Sequence, residues 1–450
     1  MLIRSISGLR GLTDVPNGLT TEVVRLYAAS FAAYCHKGIV AVGYDGRQGG
    51  KDIYDFVCKT LNEYGCDVFA LGMVPTPTVM FEVENDISIH GGISVTASHN
   101  GQAWNGMKFI ASSGLFLDKE QNESLWAIID TNSPKQSNTT GSITVREDII
   151  DKHINSILAI PFIDVEKIRS RNFKVVLDTV NASGSFIHPK LLAALGVTNV
   201  IGVATDGSGI FPHPPEPVPQ NLTSLCDAVR SNNADIGIAI DPDADRCVFI
   251  MENGEPFIEE NTIVIAAEEV LKYSAHGQHV VVNLSTTRAV EDIAVKFGAK
   301  VYRTPVGEIN VARKMHELGS VIGGEGSGGV IYPEVHTGRD SLVAVALALN
   351  NLAASGMSLS QKKASLPQYE IVKSKIDLES AEQVKEVLAS LRAKIGPLAI
   401  EMNETDGIRF SFDRKWLHVR ASNTEPIIRL IAEARTKTEA QELLNQALNK

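Results

Sequence analysis

The chain has 450 residues, 44% of them hydrophobic and 21% charged, an ordinary globular composition that excludes disorder and a fibrous build. Its formal net charge of −11 argues against a nucleic-acid partner, so any anionic ligand must be gripped by a few local groups. Five cysteines, Cys35, Cys58, Cys66, Cys226 and Cys247, are scattered without a C-x-x-C pair, which fits free thiols in a reducing compartment better than a disulfide framework or a zinc site.

At this length three or four domains are expected. The N-terminus lacks a cationic start followed by a long apolar segment. The longest apolar run, Leu342 to Leu349, is far short of the roughly 20 residues that cross a bilayer. The expectation is a cytoplasmic protein with no membrane partner.

In chain order, Gly8-Leu9-Arg10-Gly11 comes first, two glycines around one arginine, where backbone could approach a ligand closely. Thr20 opens a helix toward Cys35, with Val23, Leu26, Tyr27 and Phe31 near helical spacing. A strand, helix, glycine, strand pattern then occurs three times. Its first strands are Gly38 to Asp45, Lys174 to Asp178 and His279 to Leu284; the returning strands follow Gly65, Gly196 and Gly298. Strands apolar throughout belong to sheets covered on both faces, so these read as three similar α/β domains with sheets sandwiched by helices. From Glu370 on the pattern changes: a strand, a charged helix from Ser380 to Lys394, a hairpin with its turn at Asp413-Arg414, and a last helix from Thr438 to Leu448. This is a smaller α+β domain. Breaks near residues 133–138, 253–256 and 365–367 place the four domains at 1–145, 146–254, 255–367 and 368–450.

Four short stretches carry chemistry. Thr96-Ala97-Ser98-His99-Asn100 sets a hydroxyl and an imidazole in a turn after the apolar Gly92 to Val95. Neighbours in sequence do not make a hydrolytic pair, and a plain turn serine is the competing reading. Asp241-Pro242-Asp243-Ala244-Asp245-Arg246 follows the apolar Ile236 to Ile240. Three carboxylates gathered at a strand end repel one another unless a cation neutralises them, and hard oxygen donors suit Mg²⁺; an acidic solvated turn is the alternative.

Arg420-Ala421-Ser422-Asn423-Thr424, with Arg429 beyond, offers two arginines around hydroxyl and amide donors, a means of gripping phosphate. Gly323-Gly324-Glu325-Gly326-Ser327-Gly328-Gly329 contains the spacing of a dinucleotide fingerprint, but Val330-Ile331-Tyr332-Pro333 follows where a helix must open. A carboxylate and a hydroxyl on a glycine loop suit sugar hydroxyls better. A flexible surface loop is the alternative.

Taken together, these stretches resemble the α-D-phosphohexomutase family, in the family's order and over the whole chain: Gly8-Leu9-Arg10-Gly11, the serine loop with Asn105-Gly106-Met107-Lys108 behind it, the metal loop, the sugar loop and the final phosphate loop. The resemblance implies a four-domain, heart-shaped isomerase. Ser98 would be carried as phosphoserine and would hold one Mg²⁺ jointly with Asp241, Asp243 and Asp245. It would pass its phosphoryl group to a hexose phosphate and recover the other phosphate from a hexose 1,6-bisphosphate intermediate. Lys108 is then the candidate general acid/base with His99 assisting, and Arg10 and Arg246 balance charge. Gly307, Glu308, Glu325 and Ser327 would read the sugar, and Arg420, Ser422, Asn423, Thr424 and Arg429 would hold the phosphate that is not reacting. Monomer and dimer both remain open.

Departures bear on the substrate. Relatives acting on glucose and mannose phosphates often have a His where this chain has Gly329 and another where it has Glu308. With Trp104 after the serine loop, the pattern is more similar to a subset of phosphoglucosamine mutases, and a carboxylate at 308 could pair with a 2-ammonium group. Gly101 stands where the family usually has Pro, which bears on loop stiffness. Phosphomannomutase/phosphoglucomutase chemistry, a Mg²⁺ sugar phosphatase and a silent sugar-phosphate binder are the competing functions.

Overall fold

The computed structural model describes residues 2–13, 15–131, 134–378, 383–421 and 427–448. Four sheets follow one another along the chain. The first has seven strands, in the order Leu2–Ser5, Gly8–Leu12, Trp104–Ala111, Ile89–Val95, Ile39–Tyr44, Val68–Met73, Ile143–Val145. Ile39–Tyr44 is parallel to both its neighbours, whereas Trp104–Ala111 runs antiparallel to Ile89–Val95 and to Gly8–Leu12. That reversal brings Arg10 opposite Gly106 and Ser94 opposite Lys108, so three distant stretches meet at one sheet end.

The local reasons are legible. Thr20 accepts a hydrogen bond from the Val23 N–H at 3.4 Å and starts the helix Thr21–Tyr34, a cap worth about 1 kcal/mol. Phe31 on its inner face meets Phe109 with ring centroids 5.1 Å apart, over a core that includes Val40, Val42 and Ile93. Each such side chain contributes on the order of 1.5–3 kcal/mol by leaving water.

In the second sheet Ile236–Ile240 lies between Lys174–Asp178, to which it is parallel, and Cys247–Met251, to which it is antiparallel. The metal loop is therefore the hairpin turn between two wholly buried strands. In the third sheet His279–Asn283 is parallel to Lys300–Thr304 and to Ile322–Glu325. The last sheet is antiparallel, in the order Glu370–Asp377, Ile427–Ala434, Lys415–Ala421, Ile408–Phe412, Glu401–Asn403.

These elements form two compact units, Met1–Thr262 with Gly328–Lys362, and Ile263–Ser327 with Lys363–Lys450. The apolar run Leu342 to Leu349 lies in the helix Ser341–Ser355, capped by Asp340 at one end and by left-handed Gly356 at the other, and is buried inside the first unit. Among the described residues no single helix is long and apolar enough to cross a membrane. All five cysteines are buried and free.

Candidate active site

In the first unit the serine loop leaves the buried strand Ile89–Val95 and turns sharply, with Ser98 at φ +52°. A non-glycine residue there is held by its surroundings at an order of 1–3 kcal/mol, and the holders can be named. The Ser98 N–H donates to Thr96 Oγ1 at 2.8 Å, and Thr96 donates to Asp45 Oδ2 at 2.6 Å. Arg47, fully buried, pairs with Asp45 at 2.8 Å and donates to the Trp104 carbonyl at 2.7 Å and to the Ser98 carbonyl. Ser98 Oγ lies 3.4 Å from His99 Nδ1.

The metal loop is built the same way. Ala244, between two of its aspartates, has φ +54°. Its carbonyl accepts from both the Ser341 N–H, at 3.2 Å, and Ser341 Oγ, at 2.6 Å. Thr76 fixes the other side, taking the Asp243 carbonyl with its N–H at 3.0 Å and Asp243 Oδ2 with its hydroxyl at 2.9 Å.

The three carboxylates share one arrangement: one oxygen engaged, the other without a hydrogen bond. Asp241 Oδ1 accepts the Arg246 N–H at 3.1 Å. Asp243 Oδ2 accepts Lys108 Nζ at 2.6 Å, and Asp245 Oδ2 accepts Lys108 at 3.1 Å and Arg339 Nη2 at 2.6 Å. Asp241 Oδ2, Asp243 Oδ1 and Asp245 Oδ1 are buried without a hydrogen bond, Arg246 Nε approaching Asp245 Oδ1 to 3.5 Å, and one oxygen from each residue falls within 4.8 Å of the others. Buried lone acceptors of this kind are costly unless something positive meets them. Three hard oxygen donors at that separation fit a divalent cation of the Mg²⁺ class.

Electrostatics agree. Burial, then Asp245 and Asp243, push the Asp241 carboxyl well above the usual range, a strain a cation would relieve. Burial also works against charge on Lys108, but Asp243 and Asp245 overcome it and hold the ammonium above the ordinary lysine value. Burial would raise Asp245 too; Arg339, Lys108 and Arg246 bring it far below instead. His99, facing Arg246 first, then burial, then Arg10, is driven down to about 2 and stands as a neutral imidazole. Burial lowers Arg10, whose Nη1 donates to Asn100 Oδ1 at 2.9 Å.

A second metal-like cluster, His153, His336 and Asp340, has a different logic. The Gly338 N–H donates to His336 Nδ1 at 3.0 Å, so that ring carries its proton on Nε2, aimed at Asp340 at 3.3 Å. A protonated Nε2 cannot ligate a metal. His153 Nε2 reaches the same Asp340 oxygen at 2.9 Å, and Asp340 Oδ1 caps the helix at Leu342. The cluster is a satisfied polar node.

The second unit holds the remaining predicted groups. Glu325 ends the strand Ile322–Glu325, and its Oε1 accepts from Asn283 Nδ2 at 2.7 Å and from the Gly307 N–H at 3.1 Å. Gly307, at φ +122°, precedes the helix Glu308–Leu318, so buried Glu308 opens that helix next to the Glu325 contact. Ser327 is half-buried. Arg420 and Arg429 sit directly opposite each other on neighbouring strands, with Lys375 opposite Arg429 on the next. Like charges so placed repel, an arrangement suited to a bridging anion. Ser422, Asn423 and Thr424 lie outside the described residues.

Thus Arg10, Ser98, His99, Lys108, Asp241, Asp243, Asp245 and Arg246 converge in the first unit, and Gly307, Glu308, Glu325, Ser327, Arg420 and Arg429 lie in the second. Sequence reasoning passed over Arg47, Thr76 and Arg339. Asp45-Gly46-Arg47 directly after an apolar strand, and Gly338-Arg339-Asp340 between a strand and an apolar helix, carried a faint signal: charges at the ends of buried elements.

Four family profiles match in order: phosphoglucomutase/phosphomannomutase alpha/beta/alpha domain I over residues 2–136, domain II over 151–254, domain III over 259–369, and the C-terminal domain over 372–450. The chain belongs to the phosphoglucomutase/phosphomannomutase family. This phosphohexomutase is therefore an isomerase, with three α/β domains on mixed sheets and a smaller C-terminal domain. It is 38% identical over 446 residues to a phosphoglucomutase/phosphomannomutase of Thermococcus kodakarensis, covering 97% of this chain and 95% of the relative. It is 32% identical over 443 residues to a probable phosphoglucosamine mutase of Methanopyrus kandleri, covering 98% and 95%. Among solved structures, a phosphoglucomutase/phosphomannomutase family protein of Burkholderia thailandensis superimposes with a TM-score of 0.86 at 26% identity, covering 99% and 96%.

Of the chain's departures from the family pattern, the glycine at 329 has a local explanation. A Cβ on Gly329 would come 2.3 Å from Arg339 Cδ, so the arginine that holds Asp245 occupies the space of a side chain at 329. Gly101 has no neighbour within 4 Å of a would-be Cβ, and nothing in the structure requires glycine there.

Proposed function

We propose that this phosphohexomutase interconverts glucosamine 6-phosphate and glucosamine 1-phosphate through phosphoserine at Ser98. The observation that carries the phosphoryl-transfer reading is the set of three aspartates, each with one hydrogen-bonded oxygen and one buried oxygen without a hydrogen bond, around Lys108. Phosphoryl transfer passes through a loose transition state, so it needs positioning and charge balance more than covalent chemistry.

Asp241, Asp243 and Asp245, with the Ser98 phosphate, would hold one Mg²⁺, which when bound supplies Lewis-acid neutralisation of the transferring group. The chain's residues do the rest. As the Ser98 Oγ–P bond breaks and a bond from phosphorus to the sugar's free hydroxyl oxygen forms, Lys108, held as an ammonium, gives Ser98 Oγ its proton. The hydroxyl proton passes to an oxygen of the transferring phosphoryl group, and His99, which Arg246 and Arg10 keep neutral, assists by hydrogen bonding rather than as the base. Arg10 and Arg246 balance the phosphoryl charge. The hexose 1,6-bisphosphate turns over while bound and returns its other phosphoryl group to Ser98. Arg420 and Arg429, with Ser422, Asn423 and Thr424, grip the phosphate that is not reacting, while Gly307, Glu325 and Ser327 read ring hydroxyls. The segments 1–145, 146–254, 255–367 and 368–450 divide these tasks.

Two carboxylates, Glu325 on the Gly307 N–H and Glu308 next along the chain, support an aminated sugar, whose ammonium they would neutralise. The 38% identity to the Thermococcus kodakarensis relative favours the second reading, glucose and mannose phosphates. Intact-mass detection of one phosphate on the purified protein, lost in Ser98→Ala, tests the nucleophile; a protein that cannot be phosphorylated refutes it. Rates with glucosamine, glucose and mannose phosphates side by side test the substrate. Glucosamine phosphate as the poorest of the three would overturn the assignment.

A further inference from the structure

The second unit contains a carboxylate that none of the motifs assigned. Asp406 stands in the turn before the strand Ile408–Phe412. Gly407 follows at φ +72°, and a Cβ there would meet the Val419 carbonyl at 2.2 Å, so the turn presses directly on the strand that carries Arg420. Asp406 Oδ2 lies 3.1 Å from Arg420 Nε and accepts the Val306 N–H at 3.0 Å. The next N–H along, that of Gly307, goes to Glu325. Two consecutive amides of one loop are thus held by two carboxylates, one in the turn before Ile408–Phe412 and one at the end of the strand Ile322–Glu325.

The backbone of Asp406 is held as well. Its carbonyl accepts from His418 Nε2 at 2.7 Å. With that nitrogen protonated, His418 Nδ1 is the acceptor for the Ser285 hydroxyl at 2.8 Å. The side chains of Arg420 and Asp406 are 13% and 21% exposed, so their attraction is only partly screened. Asp406 meets the Nε side of the guanidinium as an ion pair, without a hydrogen bond from Nε, so its hold on Arg420 is one of charge.

We propose that Asp406 is a positioning residue that fixes Arg420 relative to Glu325, so that the distal phosphate and the ring hydroxyls of a hexose phosphate are read as one rigid unit. The inference rests on the reading of Arg420 and Glu325 as substrate-binding groups. Its chemistry is specific: a neutral side chain at 406 can still accept the Val306 N–H but cannot orient the guanidinium by charge.

The test is a kinetic cycle on the full-length, metal-loaded enzyme with Asp406→Asn, Arg420→Ala and the double variant, alongside the inhibition constant of inorganic phosphate. Arg420→Ala comes first. If it leaves KM for the hexose phosphate unchanged, the reading of Arg420 itself falls. If it raises KM, Asp406→Asn is expected to raise KM about tenfold, more than it lowers kcat, and to weaken inhibition by phosphate. In the Arg420→Ala background the same substitution should add little, because the group it positions is gone. Equal effects of Asp406→Asn on KM and kcat, or fully additive effects in the double variant, would overturn the proposal while leaving the substrate-binding reading intact. Asp406→Asn keeps an oxygen for Val306, so matched thermal unfolding of variant and parent separates positioning from loss of fold.

Discussion

Arg47 offers the sharpest test of how the serine loop is held. Replacing it by methionine keeps much of the volume and removes every guanidinium bond: the ion pair to Asp45 at 2.8 Å and the donors to the carbonyls of Trp104, at 2.7 Å, Asn100, at 3.4 Å, and Ser98. Breaking a buried pair from one side costs about 3–5 kcal/mol, because the other charge is stranded. Here Asp45 would keep two donors, Thr96 Oγ1 at 2.6 Å and the backbone N–H of residue 47 at 3.0 Å, which places the charge contribution near the lower end. Of the three carbonyls left without this donor, those of Trp104 and Ser98 add about 1 kcal/mol each and the longer Asn100 contact little. The expected loss is about 5 kcal/mol, and with a urea slope of about 3 kcal/mol/M the midpoint of the affected transition falls by about 1.7 M. Because the chain has several domains, that transition should be followed by a probe within residues 39–111 rather than by a whole-chain signal. Adding Asp45→Asn to Arg47→Met removes the stranded charge and should recover part of the loss. Phosphate occupancy of Ser98, read by intact mass, should fall in the single variant, since the loop is no longer held at φ +52°. An unchanged midpoint would refute the account of the loop, and equal midpoints for the single and double variants would refute the stranded-charge argument.

Three further outcomes follow from the geometry. Gly329→Ala pushes the Arg339 arm off its path, a contact of 2.3 Å, and should weaken Mg²⁺ binding several-fold by calorimetry through lost restraint of Asp245; unchanged affinity would show that Arg339 does not position that carboxylate. Gly101→Ala should be neutral or stabilising by about 0.4–1 kcal/mol, checked by thermal unfolding, because the site is open and its φ is ordinary for an L residue. His213 is raised above its ordinary value chiefly by the hydrogen bond to Asp178 at 2.9 Å. A raised folded-state value means stability fully present below the unfolded value of about 6.5 and lost as pH climbs through the folded one. Hydrogen exchange at the Phe211 amide, which donates to Gln102 at 2.7 Å, should therefore speed up from near-neutral to alkaline pH beyond the intrinsic rate, and His213→Gln should abolish the excess.

Much was legible in the sequence because local chemistry dictates it. Thr20 before a periodic apolar face starts a helix whatever surrounds it, and the hairpin turn at Asp413-Arg414 lies between Ile408–Phe412 and Lys415–Ala421 as its alternation requires. Three carboxylates after a buried strand mark a candidate cation site by their spacing alone, and the fold brings one oxygen of each within 4.8 Å of the others. The ordered set of loops pointed to the family, which four family profiles match.

The tertiary structure decided what lies between those motifs. Which oxygen of each aspartate is engaged depends on Lys108 and Arg339, brought in from other strands and turns, and on the Arg246 N–H of the loop itself. Arg47 and Asp406 lie outside the motifs singled out from the sequence, and their meaning comes from groups 51 and 100 positions away, Ser98 and Val306. Composition and periodicity describe neighbours along the chain, over about one turn of helix or a few residues of strand. Hydrogen bonds and ion pairs act over about 3 Å in space, so the residues that aim the reactive groups emerge only once the sheets have been assembled.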